Sequence, residues 1–156
     1  MRALNRRAHS VTELRRKLAE RALVAADVEP LLARLTAQGW LDDRRFASGF
    51  AHYAVSNRRW GRYRIAHELR RRGLAQEWIA AALAEVFPSE ENERALVRKR
   101  LDRRLRGKRP PYPQRLLRSL YAGLLRAGFS TTIVRDELFR RARETVPEDW
   151  PAGDEG

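Results

Sequence analysis

The sequence predicts an all-α fold: three tandem three-helix repeats forming an elongated array that can curve. Three observations lead there. Apolar residues recur at three- and four-residue spacing almost throughout the 156 residues, the period of a helix with one buried face. No run alternates apolar and polar residues long enough to suggest a strand. The chain also matches itself without gaps at shifts of 51 and then 55 residues.

The helix signals run in order along the chain. Ser10 and Glu13 make an S-x-x-E capping box that opens a helix with Leu14, Leu18 and Ala22 on one face. Asp27, or a residue just before it, opens a second helix. Pro30 is expected in its first turn, where a missing N–H costs little, and Gly39 closes it. Asp42 suits the N-cap of a third helix carrying Phe46, Ala47, Phe50 and Ala54. Gly61 precedes a helix with Ile65 and Leu69, which Gly73 ends. The next, with Trp78, Ile79 and Leu83, stops at Pro88. Ser89 caps a long helix to about Arg106, closed by Gly107 and the Pro110–Pro111 pair. Gln114 to Ala127, ended by Gly128, and Thr131 to about Thr145 complete the set. Trp40 and Trp78 are expected in the core.

The self-match aligns Ser10–Leu32 with Gly61–Leu83 and that window with Leu116–Leu138. The matched columns include Leu14/Ile65/Leu120, Leu18/Leu69/Leu124, Ala22/Gly73/Gly128 and Val28/Ile79/Val134. They read as core positions plus a helix end. Phe46 and Phe50 align with Val97 and Leu101 at the same shift, so each unit has a helix in front of its window. The unit is then about 50 residues and three helices, used three times: 1–39, 40–88 and 89–146. Ala3–Arg7 is what remains of the first unit's opening helix, giving nine helical segments. Residues 1–8 are expected to be short or mobile, and the first unit the least stable. Such small units bury little alone and must share their cores, as in helical arrays.

Charge is the other strong signal. Lys and Arg number 33 against 20 Asp and Glu, a net +13, and all but Lys17, Lys99 and Lys108 of the bases are Arg. Residues 58–72 hold seven bases and one acid, Glu68; residues 94–109 hold nine bases and one acid, Asp102. From Glu144 onward there are five acids and no base, so residues 1–143 carry +18. The end, 147–156, is expected to be a disordered acidic tail. Such a surface seeks an anionic partner. The longest uninterrupted apolar run, Trp78 to Ala84, is far too short for a membrane span. No cysteine is present, which excludes disulfides and thiolate chemistry. A cytoplasmic monomer is expected, with no membrane partner.

Catalytic and metal motifs fail one by one. Asp42–Asp43 is a paired carboxylate, but at a helix start it reads as capping. His9, His52 and His67 lack ligand spacing; His52 is expected beside Tyr53 or in solvent. There is no G-x-x-x-x-G-K-[ST] loop and no nucleophile–base constellation. No cofactor, metal or catalysis is expected. Trp60 and Tyr63 lie among arginines, where an aromatic ring can stack on an exposed base.

Three stretches together resemble the RecX family, regulators of the RecA recombinase. The first is A-x-x-x-x-HS-x-x-EL-x-x-KL, from Ala3 to Leu18 with His9, Ser10, Glu13 and Lys17. The second is G-x-LDD-x-RFA-x-x-F, with Gly39, Leu41, Asp42, Asp43, Arg45, Phe46, Ala47 and Phe50. The third is G-x-x-RI-x-x-EL-x-x-RG, with Gly61, Arg64, Ile65, Glu68, Leu69, Arg72 and Gly73. The resemblance covers about Ala3 to Glu144. It implies three tandem three-helix bundles, binding in the groove of a RecA–DNA filament, and inhibition of strand exchange and ATP hydrolysis.

The residues themselves fit a long anionic partner, RecA filament or DNA, single- or double-stranded. Arg and Lys bind phosphates by releasing counterions, without reading sequence, and weakly so at high salt. The candidate contacts are Arg58, Arg59, Arg62, Arg64, Arg70 and Arg71 in one cluster and Arg98, Arg103 and Arg104 in the other. Arg70 and Arg71 also sit in the last turn of a helix, which favours cations by itself. Two other readings stay open: a general DNA- or RNA-binding helical module, and an enzyme acting on nucleic acid. The second lacks a catalytic cluster.

Overall fold

A computed structural model of the chain describes residues 9–21 and 25–142. The expectations for residues 1–8, for Ala22 and Leu23, and for the acidic end lie outside the described residues. Eight α-helices are present and no strand among the described residues. They are α1 (Val11–Ala19), α2 (Ala25–Ala37), α3 (Asp43–Tyr53), α4 (Arg62–Arg71), α5 (Gln76–Val86), α6 (Glu90–Leu105), α7 (Gln114–Arg126) and α8 (Thr131–Ala142). The ninth expected segment, Ala3–Arg7, falls outside the described residues.

The predicted helix ends are where the chemistry put them. Ser10 accepts from the Glu13 amide at 3.1 Å while Glu13 reaches back to the Ser10 amide, closing the capping box. At the start of α6 the Asn92 side chain accepts from both the Ser89 amide (3.1 Å) and the Ser89 hydroxyl (2.7 Å). Gly39, Gly73, Gly107 and Gly128 all have positive φ. Pro30 departs from expectation. Helix α2 begins at Ala25, so Pro30 stands in its second turn rather than its first. The two alanines ahead of Asp27 are good helix formers and carry the helix backward.

The core falls into three clusters. Leu14, Val28, Leu32 and Leu41 join α1 to α2. Ala47, Ile65, Leu69 and Ile79 join α3, α4 and α5. Val97, Leu101, Leu120, Leu124, Val134 and Leu138 join α6, α7 and α8. The column Val28/Ile79/Val134 is buried in all three, as is Leu14/Ile65/Leu120. Trp40 departs from expectation. It is 62% exposed, because the next residue, Leu41, takes the buried position. Trp78 does pack against the second cluster.

Two joints couple the clusters, and both set a helix start on a helix end. At the first, the Ser10 hydroxyl donates to the Arg72 carbonyl (2.8 Å) and the Thr12 hydroxyl to that of Gly73 (3.1 Å). At the second, the Gly61 amide donates to the Ala127 carbonyl (2.8 Å) and the Tyr63 amide to that of Gly128 (3.0 Å). At the first joint two hydroxyls at the start of α1 serve the free carbonyls that end α4; at the second the amides that begin α4 serve the free carbonyls that end α7 directly. Each end supplies partners the other lacks, and the helix dipoles meet positive end to negative end.

Candidate nucleic-acid interface

The geometry of the basic surface begins with a backbone irregularity. Helix α3 runs on from Tyr53 into a π-helical turn, Ala54–Arg58, which ends at Arg59 in the left-handed region (φ 53°, ψ 46°). A π turn and a left-handed non-glycine residue both cost energy and persist only where the surroundings hold them. Here the hold comes from α6: the Arg100 guanidinium donates to the Arg59 carbonyl at 3.1 Å. Arg64 anchors the other side, with its guanidinium over the Trp60 ring (4.4 Å) and donating to the Arg126 carbonyl (2.9 Å).

This arrangement brings the two sequence clusters together. Arg100 is held below its usual pKa, first by burial and then by the positive charges of Arg104, Arg103, Arg59 and Arg64. Arg59, Arg103 and Arg104 are exposed and make no ion pair with another described residue. Arg100, Arg104 and Lys108 line one pocket between α6 and α7, with the Ser119 side chain beside them. Like charges this close repel and are left for an outside anion to neutralise. Arg100 was not singled out from the sequence. Its signal was available, since Arg100, Arg103 and Arg104 stand at i, i+3 and i+4 on one helix face.

The other candidates divide. Arg62 has an internal partner: its Nε lies 2.7 Å from Glu93, a fully buried carboxylate that also accepts from the Ser130 amide. Arg98 pairs with Glu91, and Arg71 with Glu68 (2.9 Å). Arg70 faces Gln76 and, with Arg71, borders a separate cleft beside α1. Arg58 is exposed and borders a third cleft, with Trp40 and Tyr53. Within 94–109 the charge is split. Arg94 is neutralised by Asp136 (2.8 Å) and Glu90, which raise its pKa, and lies 3.5 Å from buried Glu137. The bare charge is on the later turns of α6.

Arg62 and Glu93 give a direct check on this division. Arg62→Ala leaves Glu93 buried with only a weak backbone partner. It should destabilise the fold by about 3 kcal/mol, toward the low end for a broken buried pair because Arg62 itself is partly exposed. Urea unfolding of Arg62→Ala, Glu93→Leu and the double variant measures the coupling; additive losses would show that the pair does not interact.

Asp42 accepts from the Arg45 amide (2.8 Å) and caps α3, whereas Asp43 accepts from the Val11 amide (2.9 Å) and caps α1 across the chain. His9 is buried, 3.2 Å from the Lys17 ammonium and 3.6 Å from Glu13. His52 is exposed, 3.6 Å from Glu85. Among the described residues no group of three His, Cys, Asp or Glu side chains could hold a metal. No helix among them is long and apolar enough to cross a membrane. Trp60 is half-buried, with Arg64 over its ring and Phe50 6.3 Å away.

Residues 42–83 match the model of the second three-helix domain of RecX. The chain is 32% identical over 142 residues to the regulatory protein RecX of Trichlorobacter lovleyi, covering 90% of this chain and 91% of that one. It is 35% identical over 147 residues to the regulatory protein RecX of Stenotrophomonas maltophilia, covering 94% and 83%. The crystal structure of RecX from Lactobacillus salivarius superposes with a TM-score of 0.71 at 17% identity, over 91% of this chain and 90% of that one. A further crystal structure of a regulatory protein RecX gives 0.70 at 24% identity, over 90% and 66%.

Proposed function

The chain belongs to the RecX family, and from that premise we propose that it docks in the groove of a RecA–DNA filament and restrains strand exchange and ATP hydrolysis. It acts by occupying the groove in the cytoplasm, as a monomer and with no chemistry of its own. The observation that carries the reading is the convergence of Arg59, Arg103 and Arg104 around Arg100. Two segments some forty residues apart are folded to one exposed cationic patch, although several neighbouring arginines are neutralised by acids. A nucleoprotein filament presents phosphates and acidic side chains along a helical groove, and guanidinium groups bind both. The cores of three helical units in line would give that patch length.

Titration against a preformed RecA–DNA filament, naked DNA and RNA at one salt concentration tests this. Tightest binding to the filament, with RecA ATP hydrolysis falling as sites fill, is expected. Equal affinity for all three partners and unchanged hydrolysis would make the protein a general nucleic-acid-binding module instead.

A further inference from the structure

The third cleft is distinct from the arginine patch, and its chemistry differs. It holds about 660 Å³ and lies between the turn that ends α2 and the exposed side of α3. Trp40 and Tyr53, 62% and 50% exposed, stand in it, and the half-buried Phe46 and Phe50 rings, stacked 6.3 Å apart, also line it. Large aromatic side chains left in water together mark a contact surface more often than a lone exposed residue does. Trp40 is also held in place: its amide and that of Leu41 both donate to the Leu35 carbonyl, at 2.9 and 3.4 Å. Leu41 is thereby sunk in the core and the Trp40 ring presented outward.

Two further features say what the cleft suits. A side chain at Gly39 or Gly49, both in its lining, would meet nothing within 4 Å, so the space beside the rings is open. Its rim is cationic. Arg45 and Arg58 are exposed and make no ion pair with another described residue. The acid that lines it, Asp42, is engaged at the α3 amide of Arg45. The Phe46 and Phe50 rings already carry the Arg72 guanidinium, at 5.8 and 5.1 Å from their centroids, so the rings left to a ligand are Trp40 and Tyr53. Two exposed rings, open space beside them and guanidiniums at the edge match a planar base joined to phosphates.

We propose that this cleft takes an unpaired nucleobase of single-stranded DNA, stacked on Trp40 and Tyr53, with the flanking phosphates on Arg45 and Arg58. A base in a duplex has its faces covered by its neighbours, so the cleft favours single strands over double strands. The choice of DNA rests on the filament reading above; the stacking does not. An acidic peptide would satisfy the arginines but leave the rings without a partner.

The test uses the full chain and naked oligonucleotides, with no filament present. Three probes of equal length are compared: oligo-dT, the same strand with several abasic sites and therefore the same charge, and a duplex, which carries twice the phosphates and is read only for its change between variants. The parent protein should bind oligo-dT more tightly than the abasic strand and quench tryptophan fluorescence on binding. Trp40→Ala and Tyr53→Ala should each weaken oligo-dT binding about tenfold, as expected for one lost stacking partner. Both should leave the abasic strand and the duplex nearly unchanged. Trp40→Phe, which keeps a ring, should restore most of the loss, and circular dichroism confirms the fold of each variant. Equal losses on all three probes, or no preference for bases in the parent, would overturn the proposal. So would a Trp40→Ala variant that keeps the base preference but loses filament inhibition, since the cleft would then be a protein contact. Filament binding is scored separately, so either reading can fail alone.

Discussion

Gly128→Ala should cost about 4 kcal/mol of stability, the upper part of the range for single substitutions. Two penalties combine. Gly128 has φ of 83°, where a side chain is strained. A Cβ there would also lie closer than 3.0 Å to the backbone and Cβ of Arg64 at the start of α4. Neither neighbour is a flexible side-chain end. Relief requires α4 to move off α7, which breaks the amide–carbonyl bonds of Gly61 and Tyr63. Gly61→Ala should be similarly severe, because its Cβ would meet the carbonyl of Gly128. Gly123→Ala is the control. It lies within α7, a Cβ there meets nothing within 4 Å, and it should gain about 0.5–1 kcal/mol. Thermal and urea unfolding of the three variants decides the matter; a Gly128→Ala protein as stable as the parent would mean that this joint bears no weight.

Gly73 and Gly128 show what the sequence made legible and what it did not. The match of Gly73 with Gly128 was visible as a column of helix ends, and both take positive φ. That each end receives the start of another helix was not visible, because the contact is between backbones and leaves no side-chain pattern. The core columns were legible for the opposite reason. Burial of Ile65, Ile79, Val134 and Leu138 follows from periodicity along single helices.

The site was legible only as a quantity of charge. Residues 58–64 supply four arginines that the sequence treats alike. The fold separates them: Arg62 turns in to a buried Glu93 thirty-one residues away, Arg64 covers Trp60, and Arg59 stays bare. A buried carboxylate partner cannot be read from local spacing, since Glu93 sits with two other acids, Glu90 and Glu91, in the first turn of α6 and resembles ordinary dipole-favoured charge. Trp40 failed similarly. Trp40 and Leu41 are adjacent apolar residues at a helix exit, and which one enters the core depends on the turn geometry set by the Leu35 carbonyl.

Arg59, Arg103 and Arg104 changed together to Ala should weaken filament binding by up to about several hundredfold at 0.1 M salt. The figure follows from counterion release. If each guanidinium meets one phosphate, the slope of log affinity against log salt falls by about 0.9 per residue, or up to about 2.7 for the three. Arg62 is kept, because its loss would test Glu93 and the fold instead of the surface. Arg100 is kept too, because it holds the Arg59 carbonyl and with it the π turn. The three changed side chains are exposed and unpaired among the described residues, so the fold should survive; removing their mutual repulsion offsets part of the strain left at residue 59. Inhibition of RecA ATP hydrolysis should fall in parallel with binding. Arg70→Ala with Arg71→Ala is the comparison, and a smaller change in slope is expected there because Glu68 already neutralises Arg71. The measurements are filament binding across a salt series and an ATPase assay, with circular dichroism on every variant. If the triple variant is folded and keeps both the salt slope and the inhibition of the parent, the patch around Arg100 is a solvated face and the filament is held elsewhere.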